Sequence, residues 1–232
     1  MKKNYAGPLL KKEITAINLV VKNKKEPVTC IIGGSKISTK INVITSIMKK
    51  VNNLIIVGAM ANNFFVYKNL NIGKSLFEKD TKDIIKNIYK KAKESGCKIF
   101  IPEDCVVGIN FEGEGINKNF NDINNDEIIL DIGKNTVKNI IKIIDQSNTI
   151  LWNGPAGYFE NDNFLKGTLS IAENISKNTI EKSLISVTGG GDTLAAIKKC
   201  KSKLSFSHLS TAGGAFLEFL EGKDLPGISV LK

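Results

Sequence analysis

Apolar residues along this chain gather in two alternating patterns. Short runs rich in β-branched residues occupy positions 28–32, 54–57, 98–101, 149–152, 184–187 and 206–209. Each run is continuously apolar or mixed, as expected for strands covered on both faces. Between them, apolar residues recur at helical spacing over 37–50, 81–95, 136–145, 165–176, 194–200 and 215–221, and an opening helix is predicted over 6–20. Strands joined by crossover helices predict an α/β fold, a three-layer αβα Rossmann-like domain with a six-stranded parallel sheet. One stretch breaks the rhythm. Positions 105–131 carry Val106-Val107, Gly113, Gly115 and an Asn/Asp-rich tract before Ile128-Ile129-Leu130. This predicts a hairpin-like excursion or surface loop with a short returning strand. No linker or repeat divides the chain, so residues 1–232 are expected to form a single domain.

In open α/β sheets ligands bind beyond the carboxyl ends of the strands, so the residues after each strand carry the most information. Five of the six strand candidates open onto a glycine-containing turn. These are Gly33-Gly34-Ser35-Lys36, Gly58-Ala59-Met60, Asn153-Gly154-Pro155-Ala156-Gly157, Gly189-Gly190-Gly191-Asp192-Thr193 and Ser210-Thr211-Ala212-Gly213-Gly214. A single such turn is explained by chain reversal; five on one sheet edge suit a phosphate ligand. Glycine lets backbone N–H groups approach closely, and a helix starting just afterwards adds its positive dipole end. Lys36 and Lys40, four apart, would share one face of a helix and meet neighbouring phosphates. Asp192 is either a simple N-cap or a holder of Mg²⁺ bridging phosphates, with the Thr193 hydroxyl reaching an oxygen. Gly73-Lys74-Ser75 resembles the end of a P-loop, but the glycine required five positions earlier is Lys68, so that motif is rejected.

Composition adds limits. The chain has 232 residues, 42% hydrophobic and 24% charged, with 33 Lys+Arg against 23 Asp+Glu for a net charge of +10. The lysines are spread over presumed helix surfaces without interleaved aromatics, which argues for a solvated surface bias and against nucleic-acid binding. Cys30, Cys97, Cys105 and Cys200 form no CxxC pair and are read as reduced thiols, so cytoplasmic localisation is expected. No stretch approaches the ~18 apolar residues of a membrane span.

At these turns the sequence resembles phosphoglycerate kinase, specifically its C-terminal, nucleotide-binding domain. The shared strings, in the family's order from Tyr5 to Leu231, include Ala6-Gly7-Pro8-Leu9-Leu10, Gly33-Gly34-Ser35-Lys36-Ile37-Ser38-Thr39-Lys40-Ile41 and Ile72-Gly73-Lys74-Ser75-Leu76. Others are Asp131-Ile132-Gly133, Trp152 to Glu160, Gly189 to Thr193, and Ser210 to Ala215 running into Leu217-Glu218 and Glu221-Gly222-Lys223. The resemblance implies ATP or ADP with Mg²⁺, and roles position by position. Lys36 would stabilise the phosphoryl group in flight, with the N–H groups of Gly213 and Gly214. Lys40, Asn153 and Thr193 would contact nucleotide phosphate, next to the turns of Gly33, Gly34, Gly190 and Gly191. Gly58 and Ala59 would line the adenine slot, Pro155 would pack by the nucleotide, Glu160 would bind ribose hydroxyls and Asp192 would hold Mg²⁺. Residues 1–20 would be the interdomain helix region of an enzyme that is usually monomeric.

The chain departs from the family at Ala59, Ala212 and Phe216, where glycine, glycine and a small polar residue are usual. The two methyl groups are expected to tighten the adenine slot and restrict the phosphoryl-side turn. Nothing in the chain resembles the family's N-terminal phosphoglycerate-binding domain. It is therefore expected to carry half of a site that works by domain closure, and to be inactive without that partner domain, in cis or in trans. A non-catalytic nucleotide-binding module derived from the same domain is the alternative.

Overall fold

The computed structural model describes residues 5–21 and 23–230. Residues 1–4, which begin the segment read as interdomain, lie outside the described residues, as do Lys22, Leu231 and Lys232. The elements run α1 (Pro8–Val21), β1 (Val28–Ile32), α2 (Ile41–Ile47), β2 (Asn53–Ile56), α3 (Ala61–Tyr67), α4 (Lys82–Ser95) and β3 (Lys98–Phe100). They continue β4 (Asp104–Gly108), β5 (Ile116–Asn119), β6 (Ile128–Ile132), α5 (Lys134–Asp145), β7 (Thr149–Asn153) and α6 (Lys166–Glu181). The chain then forms β8 (Ile185–Gly189), α7 (Gly191–Lys198), β9 (His208–Ser210), α8 (Gly214–Leu220) and α9 (Pro226–Ser229).

Six strands form a parallel sheet in the order β3-β2-β1-β7-β8-β9, the architecture expected from the apolar runs. Period-two geometry splits the buried runs between two cores. From β1, Val28, Cys30 and Ile32 join Val43 and Ile44 of α2, Phe64 and Phe65 of α3 and Ile85 and Ile88 of α4. Ile31 points the other way, toward Ile140 and Ile144 of α5 and Ile171 and Ile175 of α6. Helices therefore cover both faces, and every residue of β1 and β7 is buried.

Of the two readings of residues 105–131, the hairpin-like excursion with a returning strand is the one observed: β4 pairs antiparallel with both β5 and the returning β6 in a second, three-stranded sheet, with a register shift between Val106 and Val107. Two other local readings change. The helix α3, too short and too apolar to show a periodicity, follows the Gly58 turn directly. The helix expected over 37–50 is a 3₁₀ turn at Ser38–Lys40 followed by α2, so Lys36 precedes it and the two lysines do not share a helical face.

Candidate functional site

The strand order reverses direction between β1 and β7, the position where doubly wound sheets open a crevice. At that point the turns after β1, β2 and β7 meet backbone to backbone. Gly33 N–H donates to the Asn153 carbonyl at 2.8 Å, Gly58 N–H to that of Ala156 at 3.2 Å, and Met60 N–H to that of Gly34 at 2.9 Å. A Cβ on Gly33 would lie 2.3 Å from the Pro155 oxygen, and one on Gly154 would lie 2.3 Å from the Gly33 oxygen. Gly33 is thus a packing requirement of the fold itself.

The glycines of the last two turns behave differently. Gly191, first residue of α7, and Gly214, first residue of α8, have nothing within 4 Å of a built Cβ, and neither has positive φ. Neither backbone conformation nor neighbours demand glycine there. Gly213 has equally open surroundings, but its φ of 58° favours glycine. Gly190, with φ of 101°, sits against the Asn153 amide.

Polar side chains link the turns from below. Asn153 is buried; its Oδ1 accepts from Lys40 Nζ at 2.7 Å and its Nδ2 donates to the Gly189 carbonyl at 2.9 Å. Thr193 is fully buried, and its hydroxyl accepts from Gly154 N–H at 2.7 Å, tying α7 to the β7 turn. Both expected phosphate contacts are therefore engaged in holding turns and the Lys40 ammonium. Burial lowers the Lys40 pKa, and the nearby Asp192 carboxylate opposes that shift. Asp192 itself is exposed in the first turn of α7. Among the described residues no three His, Cys, Asp or Glu side chains converge, so a cation beside Asp192 would need ligand oxygens to complete its shell.

Beside these turns lies a cavity of about 570 Å³ walled by Gly34, Gly58 and Ala59 on one side and Pro155, Tyr158 and Glu160 on the other, with Asp192 at its rim. Six residues predicted from sequence thus share one cavity: Gly34, Gly58, Ala59, Pro155, Glu160 and Asp192. Asn62, the second residue of α3, also lines it. Its Nδ2 donates to the Leu76 carbonyl at 2.9 Å, which leaves Oδ1 buried without a partner.

Lys36, Gly213 and Gly214 are exposed and do not line this cavity. The loop of Lys36 is fixed by Glu78, whose carboxylate accepts from Ser38 N–H at 3.0 Å and from the Ser38 hydroxyl at 2.5 Å. Burial raises the Glu78 pKa, but these bonds and one from Ile37 N–H outweigh it and hold the carboxylate low. On the other side, Glu13 of α1 accepts from Ser210 Oγ at 2.8 Å, Thr211 N–H at 2.8 Å and Thr211 Oγ1 at 3.0 Å, with His208 Nε2 at 3.1 Å. Its pKa is lowered because these partners outweigh desolvation. Of the three departures, Phe216 is fully buried and lies under the β8 turn, where a Cβ on Gly189 would come within 2.9 Å of its ring. Ala59 lines the cavity, and Ala212 packs against the core from a half-buried position.

Glu13 and Glu78 escape a reading based on turns alone. Glu13 leaves one signal: with Ala16 and Val20 it lies on the buried stripe of α1, a single acid at an apolar spacing. Glu78 leaves none, because its partners are 40 residues away.

The open parallel sheet, with a glycine-lined crevice at its switch point, defines a doubly wound α/β domain. The chain matches the family model for phosphoglycerate kinase over residues 1–223 and belongs to the phosphoglycerate kinase family. It is 42% identical over 230 residues to phosphoglycerate kinase of Zymomonas mobilis, covering 98% of this chain and 58% of that protein. The corresponding protein of Francisella philomiragia is 46% identical over 229 residues, with 98% and 57% covered. Among solved structures, phosphoglycerate kinase from Coxiella burnetii superposes with a TM-score of 0.91 at 40% identity, over 97% of this chain and 58% of that one. The enzyme from Pyrococcus horikoshii gives 0.81 at 28% identity, over 97% and 56%. The chain therefore spans less than three-fifths of the relatives it matches. No helix among the described residues is long and apolar enough to cross a membrane.

Proposed function

We propose that this chain is the nucleotide-binding half of a phosphoglycerate kinase. It holds Mg-ADP or Mg-ATP while an N-terminal domain, in cis or in trans, presents the phosphoglycerate. The observation that carries this reading is the convergence of predicted nucleotide residues on one cavity beside the phosphate-suited turns. The chain's own groups fit such a ligand. Asn62 Oδ1 in the cavity wall, buried without a partner among the described residues, and the exposed, uncrowded backbone at Gly191 and Gly214 both suit a bound polar molecule. In this reading the base lies between Gly58-Ala59 and Pro155, Glu160 receives the ribose hydroxyls, and Lys40 with the α7 N-terminus faces the phosphates.

The reaction moves a phosphoryl group from the acyl oxygen of 1,3-bisphosphoglycerate to a β-phosphate oxygen of ADP, the glycolytic direction that yields ATP. One P–O bond breaks to release a carboxylate and one forms; no proton has to be removed, so no general base is required. When bound at Asp192, Mg²⁺ supplies charge neutralisation between phosphates. The protein's task is positioning and electrostatic stabilisation. Lys36 and the N–H groups at Gly213 and Gly214 serve the phosphoryl in flight, the first held by Glu78 and the second pair by the Glu13 cluster. Depressed Glu13 and Glu78 keep those two supports charged at neutral pH. Cytoplasmic localisation and a monomeric state follow from the same reading.

The test is an assay of the chain alone and with a separately made N-terminal domain of a bacterial relative. Negligible turnover alone and recovery on mixing are expected. Robust turnover by the lone chain would overturn the half-site reading, and nucleotide binding without recovery would leave a binding module.

A further inference from the structure

The helix α7 touches both ends of the proposed nucleotide site. Its first turn holds Gly191 and Asp192, and about 10 Å from Gly191 at the standard helical rise its last residue, Lys198, leads into Lys199. Lys199 Nζ donates to the Phe159 carbonyl at 2.9 Å, to the Glu160 carbonyl at 3.0 Å and to Asp162 Oδ1 at 3.0 Å. An ammonium has three N–H donors, and all three close on the one segment that carries Glu160. Two neighbouring carbonyl oxygens turned toward one point repel each other unless a cation stands between them. The Glu160 side chain is exposed at the cavity and makes no hydrogen bond or ion pair among the described residues. Its backbone is thus clamped while its carboxylate is left for something else.

The rest of the segment is anchored independently. Tyr158 N–H donates to the Leu130 carbonyl at 2.6 Å and Asn161 Nδ2 to the Phe111 carbonyl at 2.9 Å. Among the described residues only Lys199 engages the carbonyls of residues 159 and 160, and it reaches them from the C-terminal end of the helix whose first turn holds Asp192.

We propose that Lys199 is a positioning residue for recognition of the sugar: through α7 it sets the Glu160 carboxylate in register with the phosphate turn, so that this chain selects nucleoside diphosphates with intact ribose hydroxyls. This rests on the reading that Glu160 meets the ribose. Neither the glycine turns nor the family strings point to Lys199.

The experiment uses this chain, calorimetric titration, and three probes with Mg²⁺: ADP, 2′,3′-dideoxy-ADP and tripolyphosphate. Lys199→Met is expected to weaken ADP binding about three- to tenfold, the range of one or two net hydrogen bonds. It should leave tripolyphosphate unchanged and bring the ADP to dideoxy-ADP affinity ratio close to one. Lys199→Arg, which keeps the donors and the charge, should restore most of that ratio. Asp162→Ala, which removes one anchor of the ammonium, should shift it part of the way and serves if the Met variant folds poorly. Glu160→Ala separates the two layers of the reading. Loss of discrimination in Glu160→Ala but not in Lys199→Met overturns the role of Lys199. Full discrimination in Glu160→Ala overturns the ribose reading beneath it. An equal loss for all three probes in Lys199→Met makes the lysine merely structural and also overturns the proposal.

Discussion

Asp131 shows how a single side chain is set by its surroundings. It is the penultimate residue of β6 and lines the cavity, almost fully buried, and burial pushes its pKa up to about 7 although the N–H groups of Gly167 and Ile132 donate to it. A carboxyl raised above its unfolded value contributes stability that is complete below about pH 4 and is lost as the pH rises through its folded value. Replacing Asp131 by Asn should therefore flatten the stability profile between those limits by roughly 2–4 kcal/mol, while losing an acceptor costs about 1 kcal/mol at low pH. Thermal unfolding of both proteins from acid to neutral pH reads the difference; a pH-independent offset would contradict the assignment. At this scale the sequence is a partial guide. Asn153 and Thr193 stand where phosphate ligands were expected, yet their side chains are already bonded to Lys40, Gly189 and Gly154. Residue type and spacing mark a position as special, but which partner a hydroxyl or amide takes is decided by atoms distant in sequence.

Among the elements, the strands were legible because continuous β-branched runs suit only doubly covered strands, and the glycine turns because they follow those runs directly. The helix α3 and the strand β5 were not. Seven residues give no helical period, and the strand β5, Ile-Asn-Lys-Asn, is polar because its faces are largely exposed. The turns themselves divide into two kinds with opposite mutational behaviour. Gly33→Ala drives a methyl group into the backbone of Gly154 and Pro155 and should cost about 2–4 kcal/mol in denaturant unfolding. Gly191→Ala meets open space in a helix and should be neutral or stabilising by about 0.5–1 kcal/mol. The same change should weaken Mg-ADP binding about tenfold, through the charge-assisted contacts of the α7 N-terminus. If Gly191→Ala binds nucleotide as well as the parent does, that turn is not the phosphate grip.

For the whole molecule, the sheet order and the family match agree on the fold of a phosphoglycerate kinase domain. The three departures from family pattern leave that architecture intact: Phe216 is absorbed as core beneath the β8 turn, and Ala59 forms part of the cavity wall. The chain spans 58% of its Zymomonas relative, and the proposed function assigns nucleotide binding to this domain and catalysis to its complex with a second one. The most direct measurement is therefore a calorimetric titration of the chain alone with Mg-ADP, repeated on Asp192→Ala. One nucleotide per chain with micromolar-to-millimolar affinity, clearly weakened in Asp192→Ala, is the predicted result. Absence of binding by the parent chain, or binding untouched by the substitution, would contradict the assignment of this domain as the Mg-nucleotide half.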